Sequence, residues 1–97
     1  MNYWLHPEAR RDLREAARYY RQRAGSVLAQ QLLGEFERSA ALLLTHPRLG
    51  VVWLHGRRRL LMRRFPYAVI YSIADEQIRI LAVAHTSRHS DYWRDRE

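Results

Sequence analysis

The sequence predicts an α+β fold: an N-terminal β-strand, then an antiparallel two-helix hairpin packed on a mostly antiparallel sheet with a C-terminal three-stranded meander. Three observations carry this expectation. Two long segments in the first half repeat their apolar residues with a helical period. Three shorter segments in the second half are apolar or alternating over the length of a strand. Pro7, Gly25, Pro47, Gly56 and Pro66 stand where these elements should start or stop.

Residues 2–6 alternate, with Tyr3 and Leu5 on one side and Asn2, Trp4 and His6 on the other, as an edge strand does. Pro7 suits a first helical turn, where its missing N–H costs nothing. The first helix is expected over 7–23, with Ala9, Leu13, Ala16, Ala17 and Tyr20 as its buried stripe. Glu8, Arg11, Asp12, Glu15, Arg18 and Arg21 are read as its solvated, mutually paired remainder. Gly25 should stop this helix and Ser26 should cap the next. The second helix carries Ala29, Leu32, Leu33, Phe36, Ala40, Leu43 and Leu44 on one stripe and ends before Pro47. The short link makes the pair an antiparallel hairpin.

Residues 47–56 read as a connection. Strands are expected over 57–64, 67–74 and 78–85, with Asp75-Glu76-Gln77 turning the chain between the last two. In the middle strand, Tyr67, Val69, Tyr71 and Ile73 oppose Ala68, Ile70 and Ser72. In the last, Ile78, Ile80, Ala82 and Ala84 oppose Arg79, Leu81, Val83 and His85. With so little polar on either side, these two strands should be central, one face on the helices and the other a concave floor. No linker, repeat or low-complexity stretch divides the 97 residues, so one domain over 1–97 is expected.

Composition narrows the function. The chain has no cysteine, which excludes disulfides and thiolate metal sites. No signal-peptide pattern is present and no run approaches the ~20 apolar residues of a membrane span, so a cytoplasmic location is expected. The net charge is +7, and all 17 basic residues other than histidine are arginines. Arginine's planar fork suits phosphate and carboxylate and stacks on bases, which points to an anionic partner. Five of these arginines fall within residues 57–64.

Alternation in that segment sends Leu60 and Met62 to the core and leaves Arg59 and Arg63 on the open face, with Arg57 beside them and Arg64 at the strand's end. Two residues along a strand span ~6.6 Å, so such a ladder could follow phosphates; equally, a charged strand blocks edge-to-edge association. The segment holds no group that titrates near neutrality. That role falls to His85, at the end of the last strand, followed by Arg88, Tyr92 and Trp93. A histidine, an arginine for phosphate and an aromatic ring for a base are the parts that RNA cleavage by the 2′-hydroxyl would need. A structural His85 bonded to backbone is the alternative. His46, His55, His85 and His89 show no ligand spacing, and no metal or cofactor is expected.

These residues together resemble the RelE/ParE superfamily, toxins of type II toxin–antitoxin (plasmid stabilisation) modules. The resemblance rests on Asp12-Leu13 and Tyr19-Tyr20, a Leu-rich second helix ending in His46-Pro47, and Arg59 before Arg64-Phe65-Pro66-Tyr67 and Tyr71. Ala82-Val83-Ala84-His85, Arg88 and Tyr92-Trp93 complete it. It spans almost the whole chain. It implies a toxin that inhibits growth and is neutralised by a cognate antitoxin, whose acidic segment would be encoded next door. RelE-like members are metal-independent endoribonucleases that cut mRNA on the ribosome; ParE-like members poison DNA gyrase. The resemblance puts Arg59, Arg63, Arg88 and Tyr92 where RelE-like toxins carry phosphate-binding and base-stacking groups. Together with the reading above, His85, Arg88 and Tyr92 are the expected catalytic residues and Arg57, Arg59, Arg63, Arg64 and Trp93 the expected nucleic-acid surface. The chain departs from some RelE-like members in having no lysine and no glutamate in the arginine strand. Ribosome-dependent mRNA cleavage is the first expectation, with non-enzymatic gyrase inhibition and a basic binding domain without toxicity as alternatives.

Overall fold

The computed structural model describes residues 1–88 and 91–97. Strand β1 (Asn2–Leu5) leads into helices α1 (Pro7–Ala24) and α2 (Ser26–Thr45). Strands β2 (Val51–Val52), β3 (Arg58–Leu61), β4 (Tyr67–Ala74) and β5 (Gln77–His85) follow, with a 3-10 turn at Leu54–Gly56. The five strands form one sheet in the order β1-β5-β4-β3-β2. All neighbours are antiparallel except β1 and β5, which run parallel with Asn2 opposite Gln77 and Leu5 opposite Ile80. The α+β architecture, a helix hairpin on a mostly antiparallel sheet, agrees with the expectation.

Helix α1 starts where Pro7 places it, and His6 caps it: its Nδ1 accepts the Glu8 N–H at 3.0 Å. The helices are separated by Gly25 alone, at φ 93°. Ser26 therefore does not cap α2; it is the first helical residue, and Gly25 serves both helix ends in a conformation that glycine adopts without strain. The inner stripes meet the sheet as expected, with Leu32, Phe36 and Leu43 packed against Val69, Tyr71, Ile78 and Ile80.

Three local expectations are corrected. The 47–56 connection contains β2, whose two residues pair with Arg58 and Arg59 and are too few to show alternation. It is pinned by Tyr71, whose hydroxyl accepts the Gly50 N–H at 2.9 Å and donates to the Pro47 carbonyl at 2.7 Å. A Cβ on Gly50 would lie 2.7 Å from that ring, which is why glycine stands there. Next, the arginine strand ends at Leu61, because the chain turns through Arg64 at φ 71° and the Met62 N–H bonds the Tyr67 carbonyl at 2.9 Å. Finally, β5 has an irregular register: Ile70 pairs with Ala82 but Tyr71 with Ile80, leaving Leu81 as an extra residue. This bulge shifts the alternation by one. Val83, not Ala82, joins Ile78 and Ile80 against the helices, and Ala82 and Ala84 face the other way.

That other face is not an open floor. Ala68, Ile70, Ala82 and Ala84 carry the Trp93 indole, 1% exposed, with Trp53 and Tyr92 packed beside it. The C-terminal segment folds back over the sheet and makes a second, smaller core there.

Candidate functional site

The C-terminal segment is held by one carboxylate. Asp12 sits on α1 between Ala9 and Ala16, at i−3 and i+4, and is buried with them. Its Oδ2 accepts the Val83 N–H at 3.1 Å, the Tyr92 hydroxyl at 3.1 Å and Arg96 Nη1 at 2.7 Å, and Oδ1 accepts Arg96 Nη2 at 3.4 Å. Arg96 Nη1 also donates to the Leu81 carbonyl at 3.1 Å. Asp12 and Arg96 thus bind backbone groups of β5 at its bulge, beyond the end of β1. Burial opposes the Arg96 charge, but the hydrogen bond and charge of Asp12 outweigh it and hold its pKa above the ordinary guanidinium value. The reading of Asp12 as part of a solvated face is overturned. Its position between two inward alanines was the signal for this, and Arg96 carried no local signal at all.

Tyr92 is consumed by the same network. Its hydroxyl is committed to Asp12, and burial together with the neighbouring carboxylate pushes its pKa well above the ordinary tyrosine value. Two guanidiniums lie over its ring, Arg88 at 3.8 Å and Arg96 at 5.0 Å from the centroid. Trp93, expected to stack on a base, is buried on the sheet, where no base can reach it.

His85 ends β5 between two crevices. Toward α1, a cavity of about 310 Å³ is lined by Asp12, Glu15, Tyr19, Tyr67, His85 and Arg88, among others. On the opposite sheet face, a narrow cleft of about 50 Å³ is bordered by Trp53, Arg59, His85, Arg88 and Trp93. The imidazole packs edge-on against Tyr67 at 5.1 Å, its Nδ1 accepts the Ser87 N–H at 3.1 Å, and Ser87 Oγ lies 2.7 Å away. Nδ1 is therefore engaged by its own turn. His89 lies outside the described residues.

The arginines separate. Arg59 lies on the cleft side with its guanidinium 4.5 Å from the Trp53 ring centroid, a contact the sequence did not suggest. Arg88 shares the cleft with it. Arg63 is exposed on the turn beyond β3, so it does not continue a ladder from Arg59. Arg64 points to the helix hairpin and donates to Gln31 Oε1 at 3.2 Å. Arg57 donates from Nη2 to the Arg96 carbonyl at 3.4 Å, and its buried Nε has no partner among the described residues. Arg58 holds the preceding loop through the Gly50 carbonyl at 2.8 Å. The structure brings together Arg59, Arg88 and His85; it turns Arg57, Arg58 and Arg64 to other tasks.

The model of the ParE toxin of the type II toxin–antitoxin system, parDE, matches residues 3–90. The chain belongs to the ParE toxin family. A solved structure described as the chromosomal ParDE TA system from P. aeruginosa has the same fold, with a TM-score of 0.80 at 19% identity over 90% of this chain and 97% of that one. No curated protein matches. Membership of this family agrees with the RelE/ParE resemblance carried by Asp12-Leu13, Arg64-Phe65-Pro66-Tyr67 and the segment from Ala82 to Trp93. Among the described residues of this ParE-family chain, no helix is long and apolar enough to cross a membrane.

Proposed function

We propose that this toxin inhibits growth as ParE-like members do, by binding DNA gyrase without chemistry of its own. One observation carries this preference over mRNA cleavage: the aromatic groups that would hold a nucleobase are taken up by the fold. The Tyr92 ring lies under Arg88 and its hydroxyl is bound to Asp12, while Trp93 is buried. A splayed base is held by stacking on an aromatic face or a guanidinium plane, and the two aromatic faces expected for this are occupied. Arg59 and Arg88, at the rim of the cleft, and the exposed Arg63 are the groups that would meet the target; this role suits guanidiniums and needs no proton transfer.

The reading includes a cognate antitoxin with a carboxylate-rich segment, since the chain carries +7 and many exposed arginines. Its complex should weaken as salt rises.

The test is supercoiling by purified gyrase with the isolated toxin, beside a map of mRNA ends after induction in cells. Supercoiling lost at saturating toxin, with no new mRNA ends, supports the reading. Unchanged supercoiling together with new ends that vanish in His85→Ala would replace it with ribosome-dependent cleavage. Unaltered growth on induction would leave a binding domain without toxicity.

A further inference from the structure

Helix α1 holds six arginines in 18 residues, whereas α2 holds one in 20. Arg10, Arg14, Arg18 and Arg21 recur at i, i+4, i+8 and i+11, one stripe along the helix. All four are exposed. None has a side-chain hydrogen bond, ion pair or ring contact among the described residues. The two glutamates of α1 serve a different row: Glu8 and Glu15 both pair with Arg11, at 3.5 and 3.8 Å. Asp12 is buried against Arg96 and cannot offset the stripe. Arg14 and Arg18 of the stripe, with the ion-paired Arg11 and Glu15, border a trough of about 370 Å³.

We infer that this stripe is a docking surface for the sugar–phosphate backbone of duplex DNA, separate from the sheet-side cleft of Arg59 and Arg88. At a rise of ~1.5 Å per residue the row is about 16 Å long and straight. A duplex strand winds about its axis with successive phosphates ~6–7 Å apart, so a row of this length runs beside about three of them. Four like charges in one row repel each other, and a row of phosphates relieves that repulsion. A single strand fits the stripe less well. Single strands are held by stacking their bases on aromatic rings, and Tyr19, the exposed aromatic of this helix, carries the Arg23 guanidinium over its ring at 4.8 Å. The stripe has no feature that reads base edges, so binding is independent of sequence.

The test is fluorescence anisotropy of the full chain with a labelled duplex of about 20 base pairs, titrated over a range of salt. The stripe variant is R10Q/R14Q/R18Q/R21Q, glutamine being close to arginine in helix propensity. A charge-matched control, R23Q/R38Q/R48Q/R94Q, removes four arginines elsewhere. Removing about three phosphate contacts should flatten the log–log salt dependence by about 2 to 3 and weaken duplex binding by about tenfold or more at low salt. The control should lose less than about threefold, and a four-lysine variant of the stripe should keep the affinity, since a phosphate accepts a point charge. Equal losses in the stripe variant and the control would overturn the inference, because binding would then follow net charge alone. So would a labelled single strand binding more tightly than the duplex, or polyglutamate losing its binding to the stripe variant while the duplex does not.

Discussion

Asp12 and Arg96, near opposite ends of the chain, form a two-point ion pair of 2.7 and 3.4 Å that fastens the C-terminal segment to the first helix. Both side chains are largely buried, and each also binds the backbone of β5. Breaking one side of such a pair strands a buried charge, which costs about 3–5 kcal/mol. Asp12→Ala should therefore lower the unfolding free energy by about 3 kcal/mol in urea denaturation. The Asp12→Ala/Arg96→Ala double variant should cost less than the sum of the two single variants.

The cap at His6 makes stability sensitive to acid. Its Nδ1 accepts a hydrogen bond, which requires the neutral ring, and burial followed by the charge of Arg96 lowers its pKa from the ordinary 6.5. The unfolded chain therefore takes up this proton at a higher pH than the folded one. The contribution of His6 is fully present above pH 6.5 and is lost as the pH falls from 6.5 through the lowered folded value. His6→Asn keeps a capping oxygen but cannot titrate. Thermal melts between pH 8 and 5 should fall more steeply for the natural chain than for this variant.

The β4–β5 hairpin turns through Asp75 and Glu76 at φ 51° and 58°. A two-residue turn with both positions in the left-handed region is type I′, which favours Asn-Gly. Asp75→Asn/Glu76→Gly should raise stability by about 1 kcal/mol, read from the denaturation midpoint at constant slope.

Arg59 and Arg88 rest on the rings of Trp53 and Tyr92 and make no ion pair among the described residues. Contacts of this kind contribute about 0.5–1 kcal/mol where exposed and about 2 kcal/mol where desolvated; Arg88 is exposed and Arg59 half-buried. The Arg59→Ala/Arg88→Ala variant should remain folded, with a small drop in melting temperature, yet inhibit growth much less on induction. Undiminished inhibition by a folded variant would remove the cleft from the target surface.

Much of this was legible in the sequence because it is local. Ala9, Ala16, Leu32, Phe36 and Leu43 announce their helices by period, and Pro7, Gly25 and Pro47 punctuate them. The alternation of 67–74 identifies β4 and its two faces. The sheet side of Leu60 and Met62 also followed from alternation. What failed depended on contacts between distant residues. Asp12 read as one more charge on a charged helix, because its partner lies 84 residues away. Trp93 read as a stacking group, because nothing near it in sequence covers it.

The sequence by itself determined the elements, their order, the apolar stripes and a basic surface, all consequences of propensity and periodicity over a few residues. Only the tertiary structure decided which side chains stand together. One bulge residue, Leu81, reassigns the faces of β5. The turn at Arg64 ends the arginine strand early. The return of Trp93 over Ala68, Ile70, Ala82 and Ala84 closes what alternation had left as an open floor. Each is a matter of register or long-range packing, which a period of two or 3.6 residues does not encode.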